Sequence, residues 1–242
     1  MDINAGTLNG TINISNNNFS NISLQNGSSF YGIYQESPQS THILNNTISN
    51  ITMGTNSFLL GIQQVGNSLE STVSGNNIFG ISGNGTVCAI SASKYVNDNN
   101  IYNISGATSI EAINSGVSIS ENNIHDLSAS GNINAIRYGD GSGSPSSAFN
   151  NNVYNLISTG YSVIGIKNNS SSVSNQVYQN NIFNLEVNNP AGLVFGIQDA
   201  TSGSDNSATY IYNNFISDLR APITNYADAI HGLDILYISN NS

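Results

Sequence analysis

The sequence predicts an all-β protein, a right-handed parallel β-helix (solenoid) of about eight coils, each of 23–34 residues. Three observations support this prediction: a ten-residue motif recurs along the chain, a second short motif lies between its copies, and asparagine occupies one fixed position in each copy. Because one such coil cannot bury its apolar face alone, only a stack of coils forms a continuous core.

The ten-residue motif is best seen in the segment 73–82, Val-Ser-Gly-Asn-Asn-Ile-Phe-Gly-Ile-Ser. Its second apolar residue is repeated at spacings that average about 28 residues. These residues are Phe19, Ile48, Ile78, Ile101, Ile124, Val153, Ile182 and Ile216. A ninth, partial copy begins at Ile238.

The second motif is a small residue followed by isoleucine, and one copy lies in each repeat. Its copies begin at Gly32, Gly61, Ala89, Ala112, Ala135, Gly165, Gly196 and Ala229. Each repeat therefore holds three short apolar stretches separated by Gly, Ser and Asn, without a sustained helical period. Three short strands for each repeat describe one coil of a parallel β-helix, with coils stacked at about 4.8 Å.

The fixed asparagine lies three residues after the first apolar residue of every copy. Its nine occurrences are Asn17, Asn46, Asn76, Asn99, Asn122, Asn151, Asn180, Asn214 and Asn241. A side-chain amide can both donate to and accept from the amide one coil away, so the pattern predicts an internal asparagine ladder. Asparagine also tolerates a left-handed backbone, and we expect this conformation at the same position.

This pattern of apolar-x-x-Asn-x-apolar, then a small residue and Ile, resembles the repeat of pectin-lyase-like right-handed parallel β-helices. It is similar in particular to Asn-rich β-helical segments of large bacterial secreted and cell-surface proteins. The resemblance covers nearly the whole chain, and the repeats predict a single β-helix domain over residues 1–242. Because both ends interrupt the pattern and show no amphipathic capping helix, we expect this domain to be a fragment of a longer chain. The resemblance also implies an extracellular or cell-surface location.

Charge is scarce throughout the 242 residues. Four Lys and Arg stand against 14 Asp and Glu, so the net charge is −10, while 43 residues are Asn and 38 are Ser. This balance argues against nucleic acid as a partner, because such binding needs many cations. No apolar run is long enough to predict insertion into a membrane. Cys88 is the only cysteine, which excludes an internal disulfide.

The few cationic side chains align when each residue after a small-Ile pair is taken to point outward. Arg137, Lys167 and His231 then fall on one stripe, which we call the cationic stripe. Such a stripe is a candidate anion-binding surface, for example for an acidic sugar. Solvent-exposed polar residues with no ligand are the simpler interpretation.

An aromatic stripe is the second candidate surface. Its rings come one residue after the closing apolar position in five consecutive coils: Phe79, Tyr102, His125, Tyr154 and Phe183. Outward rings of this kind can stack on sugar faces or contact a partner. Alternatively, they pack over a bend of each coil and only shield the backbone.

Catalytic chemistry has weak support in the sequence. Asp98 and Glu121 occupy equivalent positions in neighbouring coils, which is compatible with a pair of glycosidase carboxylates. However, aligned turn residues are always one coil apart, so we assign no catalytic residue. The resemblance implies polygalacturonase-like motifs for hydrolases, and none of them occurs here.

Metal and cofactor chemistry has no stronger basis. Segment 138–144, with Asp140 among Gly and Ser, lacks the further acids and closing Glu of an EF-hand loop. We therefore predict no metal site and no cofactor, and calcium is the one cofactor that the pattern leaves open.

The expected function is a non-catalytic β-helical module of a secreted or cell-surface protein, either a stalk or a carbohydrate-binding adhesion module. Its expected partner is a polysaccharide or surface glycan, and open end coils also predict end-to-end self-association. The competing hypothesis is a polysaccharide lyase or glycoside hydrolase that acts on an acidic polysaccharide. The scarcity of clustered acids and bases favours the first.

Overall fold

The computed structural model describes residues 2–3, 10–65, 70–139, 145–170, 174–200 and 208–235. In the described residues the chain forms 23 β-strands, and all strand pairs between them are parallel. The strands are β1 (Asp2–Ile3), β2 (Thr11–Ser15), β3 (Asn18–Ser23), β4 (Ser29–Gln35), β5 (Ser40–Leu44), β6 (Thr47–Gln64), β7 (Thr72–Ser74), β8 (Asn77–Ala92), β9 (Tyr95–Asn97), β10 (Asn100–Ala107), β11 (Ser109–Gly116), β12 (Ser118–Ser120), β13 (Asn123–Ala129), β14 (Ile133–Tyr138), β15 (Ser146–Phe149), β16 (Asn152–Ser158), β17 (Ser162–Asn168), β18 (Ser174–Tyr178), β19 (Asn181–Val187), β20 (Leu193–Asp199), β21 (Ala208–Tyr212), β22 (Phe215–Arg220) and β23 (Ile230–Ile235).

The strands form a parallel β-helix of eight described coils. Each coil runs through the same three faces of the solenoid. The first face is an eight-stranded sheet in the order β2-β5-β7-β9-β12-β15-β18-β21. The second and third faces belong to one 15-stranded sheet, because β6 and β8 run through both faces without a break. The second face holds β3, β10, β13, β16, β19 and β22, and the third holds β4, β11, β14, β17, β20 and β23. This arrangement confirms the predicted fold class.

The core consists of apolar columns that follow the repeated sequence positions. Ile48, Ile78, Ile101 and Ile124 follow one another in register on the second face, and none of them is exposed. Burying each such side chain contributes about 1.5–3 kcal/mol relative to exposure. Similar columns line the other two faces, so every coil is held by its neighbours.

The small-Ile motif lies on the third face, and its predicted register holds in seven coils. In the eighth coil, however, Ile197 pairs with Leu233. The small residue of this coil is therefore Gly232, and the sequence-based choice of Ala229 is wrong by three residues. Both positions offer a small residue before an aliphatic one, and only the hydrogen-bonded pairing distinguishes them.

The asparagine ladder is confirmed for the eight members from Asn17 to Asn214, while Asn241 lies outside the described residues. Each amide nitrogen Nδ2 donates to the Oδ1 of the next asparagine at 2.9–3.0 Å. The backbone N–H of each member donates to the same Oδ1. The six inner members are 1% exposed, so the ladder satisfies polar groups that are shielded from water.

The left-handed backbone lies one residue before the ladder, which corrects the expected position. This column comprises Asn16, Asn45, Gly75, Asp98, Glu121, Asn150, Gln179 and Asn213, with φ between 54° and 66°. A second left-handed column follows four residues after the ladder asparagine, for example at Asn103 and Asp126. The ladder position is therefore selected by amide pairing, and the turn residue is selected separately.

No helix in the described part of the chain is both long and apolar enough to cross a membrane.

Candidate functional site

The cationic stripe lies on the third face, but it is shorter than expected. Arg137 and Lys167 are neighbours in register on β14 and β17, and the column continues through Gln198 to Asp234. Lys167 is half-buried. The stripe therefore brings two cations together, followed by an amide and a carboxylate.

Arg137 is already engaged by its own coil neighbours. Its Nη1 lies 3.3 Å from Oε1 of Glu111, and its Nε donates to Oδ1 of Asn114 at 3.0 Å. Asn114 in turn donates to Oε2 of Glu111 at 2.9 Å. The guanidinium charge is therefore balanced by a carboxylate, which weakens its capacity to bind an anion or to act as a base.

His231 does not belong to the cationic stripe, because it pairs in register with Phe195. Its ring stacks on the Phe195 ring with centroids 4.9 Å apart. Its Nε2 lies 3.6 Å from Oδ1 of Asp228, and its Nδ1 lies 3.9 Å from Oδ1 of Asp234. The predicted grouping of His231 with Arg137 and Lys167 is thus wrong. The small-Ile motif of this coil was placed three residues too early, so the stripe position is occupied by Asp234.

A cleft of about 740 Å³ opens on the third face beside Lys167, and we call it the third-face cleft. Its base includes Ile164 and Phe195 together with the polar side chains of Lys167 and Gln198. Tyr161 and the segment 226–228 also line it. Tyr161 and Tyr226 are 68% and 54% exposed, so both offer aromatic surface to a ligand.

The wall at Tyr226 belongs to the loop between β22 and β23, and this loop is anchored on the preceding coil. The backbone N–H of Asn225 donates to the carbonyl of Pro190 at 2.7 Å. The hydroxyl of Thr224 donates to the carbonyl of Gly192 at 3.1 Å. Tyr226 is therefore placed beside the cleft by hydrogen bonds that involve no ligand.

A second cleft, of about 490 Å³, lies on the same face around Cys88, and we call it the Cys88 cleft. Leu60, Glu111 and Asn134 also line it, and they occupy the same column as Cys88. Burial and the nearby Glu111 carboxylate raise the pKa of the Cys88 thiol to about 12. The thiol is thus protonated near neutral pH and is a poor nucleophile.

The aromatic stripe is brought together on the second face as a continuous stack. Successive ring centroids are 4.9, 5.1, 4.8 and 5.0 Å apart, and interplanar angles are below 10°. All five side chains are half-buried. Because each ring contacts the faces of its neighbours, the inner rings offer mainly their edges to a ligand, which disfavours the expected stacking on sugars.

The candidate carboxylates occupy turn positions. Asp98 and Glu121 are left-handed residues of the column before the ladder. Asp126 accepts hydrogen bonds from Asn155 at 2.9 Å and from His125 at 2.8 Å, and these bonds lower the pKa of its carboxyl.

Within the described residues, no three His, Cys, Asp or Glu side chains form a group that could hold a metal ion. Segment 140–144 of the considered calcium loop lies outside the described residues.

A second ring stack, on the first face, was missed by sequence reasoning. Phe149, Tyr178 and Tyr212 stack with centroids 4.9 and 5.0 Å apart. All three lie two residues before a ladder asparagine, so aligning the repeats at that position would have revealed them.

Comparison with known proteins finds no matching family model, no matching curated protein and no matching solved structure.

Proposed function

We propose that this chain is a non-catalytic β-helical module of a secreted or cell-surface protein that binds an extended polysaccharide along its third face. The observation that carries the proposal is the third-face cleft, which is lined by the exposed rings of Tyr161 and Tyr226 together with the polar side chains of Lys167 and Gln198. Sugars are recognised by this combination, because aromatic surface contacts their C–H groups and polar groups bind their hydroxyls.

The position of the two clefts supports a chain-like ligand. Leu60 and Cys88 in the Cys88 cleft and Ile164 and Phe195 in the third-face cleft belong to one column parallel to the solenoid axis. From Leu60 to Phe195 this column spans five coil steps, or about 24 Å. A linear polymer lying along the column would contact both clefts.

The charges along this path favour a neutral or weakly acidic polysaccharide. Glu111 balances Arg137, and Asp228 lines the third-face cleft together with Lys167. A strongly acidic polymer would meet a chain of net charge −10, and close cation pairing is offered mainly by Lys167.

The alternative of a polysaccharide lyase or glycoside hydrolase has less support. A lyase needs a base near its sugar, and the first candidate, Arg137, is held by Glu111 and Asn114. Asp98 and Glu121 are explained as turn residues. These contacts favour binding without turnover.

Affinity electrophoresis in gels that contain neutral or acidic polysaccharides tests the proposal. We expect retardation by at least one neutral polysaccharide, and we expect Tyr226→Ala and Tyr161→Ala to reduce it several-fold. Tyr95→Ala is the matched control, because Tyr95 is an exposed tyrosine on the first face. Retardation that survives both cleft substitutions would refute the cleft as the binding site. Release of reducing ends or unsaturated products from the polysaccharide would refute the non-catalytic assignment.

A further inference from the structure

We propose that the first face carries a second, separate site that binds one neutral sugar ring. The site is a shallow cup of about 170 Å³ on β15 and β18, and it does not depend on the third-face cleft. Its lining residues are Pro145, Ser146, Ser147, Ser174, Gln176 and Tyr178. We call it the first-face cup.

The cup combines an aromatic wall with hydroxyl and amide groups. Tyr178 forms the wall and is held between the rings of Phe149 and Tyr212, so it offers the cup its ring edge and not a ring face. The hydroxyl of Tyr212 donates to Oε1 of Gln176 at 3.4 Å, a long contact that leaves the exposed Gln176 amide able to turn towards a ligand. A pyranose presents C–H groups and a rim of hydroxyls, which can contact the ring edge and exchange hydrogen bonds with the Ser and Gln groups of the cup.

The absence of charge selects the class of ligand. None of the six lining residues is Asp, Glu, Lys, Arg or His, although the chain as a whole carries a net charge of −10. A uronate or phosphate would lose water in this cup without gaining a cation, whereas a neutral ring exchanges hydroxyl–water bonds for bonds to Ser and Gln. The volume of the cup limits the ligand to about one ring.

The rings are not needed to cover the backbone. In earlier coils the column of Phe149 carries Ser74, Asn97 and Ser120, over core residues that are equally buried. Among the described residues, the aromatic side chains of this column thus lie only in its last three coils, the same part of the face where the cup lies. Tyr210, in register with Gln176, adds a further ring that is 55% exposed.

Nuclear magnetic resonance titration of ¹⁵N-labelled protein with methyl β-glucopyranoside and methyl β-galactopyranoside tests this site. We expect at least one of the two sugars to shift the amide signals of Ser147, Ser174 and Gln176, and the corresponding uronate not to do so. Gln176→Ala should weaken that binding about fivefold, because it removes about one hydrogen bond. Tyr178→Leu, which removes the aromatic wall, should abolish the shifts while the rest of the spectrum remains folded.

Tyr226→Ala is the control that separates the two sites. It should leave the shifts at the first-face cup unchanged, whatever it does to binding in the third-face cleft. If neither neutral sugar shifts these amides, or if Gln176→Ala and Tyr178→Leu leave the shifts intact, the first-face site is refuted. If the amides of the cup shift while polysaccharide retardation is absent, the third-face proposal fails and the first-face site stands.

Discussion

Asn99 and Asn122 are 23 residues apart in sequence, yet the side chain of one completes the hydrogen bonding of the other. Both the backbone N–H and the Nδ2 of Asn99 donate to Oδ1 of Asn122 at 3.0 Å. Nδ2 of Asn122 donates to the carbonyl of Val96 at 3.0 Å. The same Nδ2 also donates to the carbonyl of Ser120 in its own coil at 2.9 Å. The amide of Asn122 thus binds backbone groups of two coils, and its loss would leave several buried groups without partners.

Replacement of Asn122 by alanine should therefore lower the free energy of unfolding by at least about 2 kcal/mol, since each orphaned buried group costs about 1–3 kcal/mol. Asn17→Ala is the matched control, because Asn17 is half-buried and is the first described member of the ladder. Urea denaturation followed by circular dichroism measures both. Equal losses for the two variants would contradict a role that depends on burial within the ladder.

Glu121 is a left-handed residue with φ of 59°, whereas asparagine occupies the same column at Asn45 and Asn150. Glu121→Asn should raise the free energy of unfolding by about 0.5–1 kcal/mol, because asparagine adopts this conformation at lower cost. Glu121→Val should lower it, since a β-branched residue is disfavoured there. Thermal unfolding checks both changes, and a stabilising valine would contradict the assigned backbone conformation.

Asn122 in the ladder and Glu121 in the left-handed column also show what the sequence could and could not predict. The ladder was predictable because a nine-fold asparagine at one offset has few other physical explanations. The left-handed column was placed one residue too late because asparagine suits both roles, and the column itself mixes Asn, Asp, Glu, Gln and Gly. Only the backbone angles separate the two positions.

The candidate binding site was less predictable than the fold. Arg137 and Lys167 were correctly paired because they lie at one repeat position. The aromatic walls of the third-face cleft, Tyr161 and Tyr226, come from connections between strands, and their course is set by contacts such as that of Asn225 with Pro190. The variable length of such connections carries no register signal in a single sequence.

Cys88 should make stability fall with rising alkaline pH. Its folded pKa of about 12 is higher than the ordinary 9.0, so the unfolded chain loses the thiol proton first. The stabilising contribution is complete below pH 9 and is lost towards pH 12, at about 1.4 kcal/mol per pH unit. Urea midpoints of the wild type and Cys88→Ser at pH 8 and pH 10 measure the difference. Parallel losses in the two proteins would show that Cys88 does not contribute.

The second-face stack should be more important for stability than for binding. His125→Ala removes the ring contacts with Tyr102 and Tyr154, which lie at 5.1 and 4.8 Å, and each is worth about 0.5–1.5 kcal/mol. We expect a loss of about 1–3 kcal/mol in unfolding free energy and unchanged retardation by polysaccharide. Ser20→Ala, in the same column but outside the stack, is the control. Loss of retardation in His125→Ala, with stability preserved, would instead support the aromatic stripe as a ligand surface.

Tyr138 presents the opposite case to the ladder, a buried polar group that lacks a partner. Its side chain is fully buried at the end of β14, and its hydroxyl has no hydrogen-bond partner among the described residues. Burial and the Asp199 carboxylate, which lies two steps along the same column, raise the pKa of this phenol well above 10. Burying the neutral hydroxyl without a hydrogen-bond partner still lowers the stability of the folded state by about 1–3 kcal/mol. Tyr138→Phe should therefore raise the free energy of unfolding by about 1 kcal/mol. Tyr212→Phe, which removes an exposed hydroxyl, should change it little, and urea denaturation compares the two. A clear loss of stability in Tyr138→Phe would contradict the unpaired state and would indicate a buried water bound to this hydroxyl.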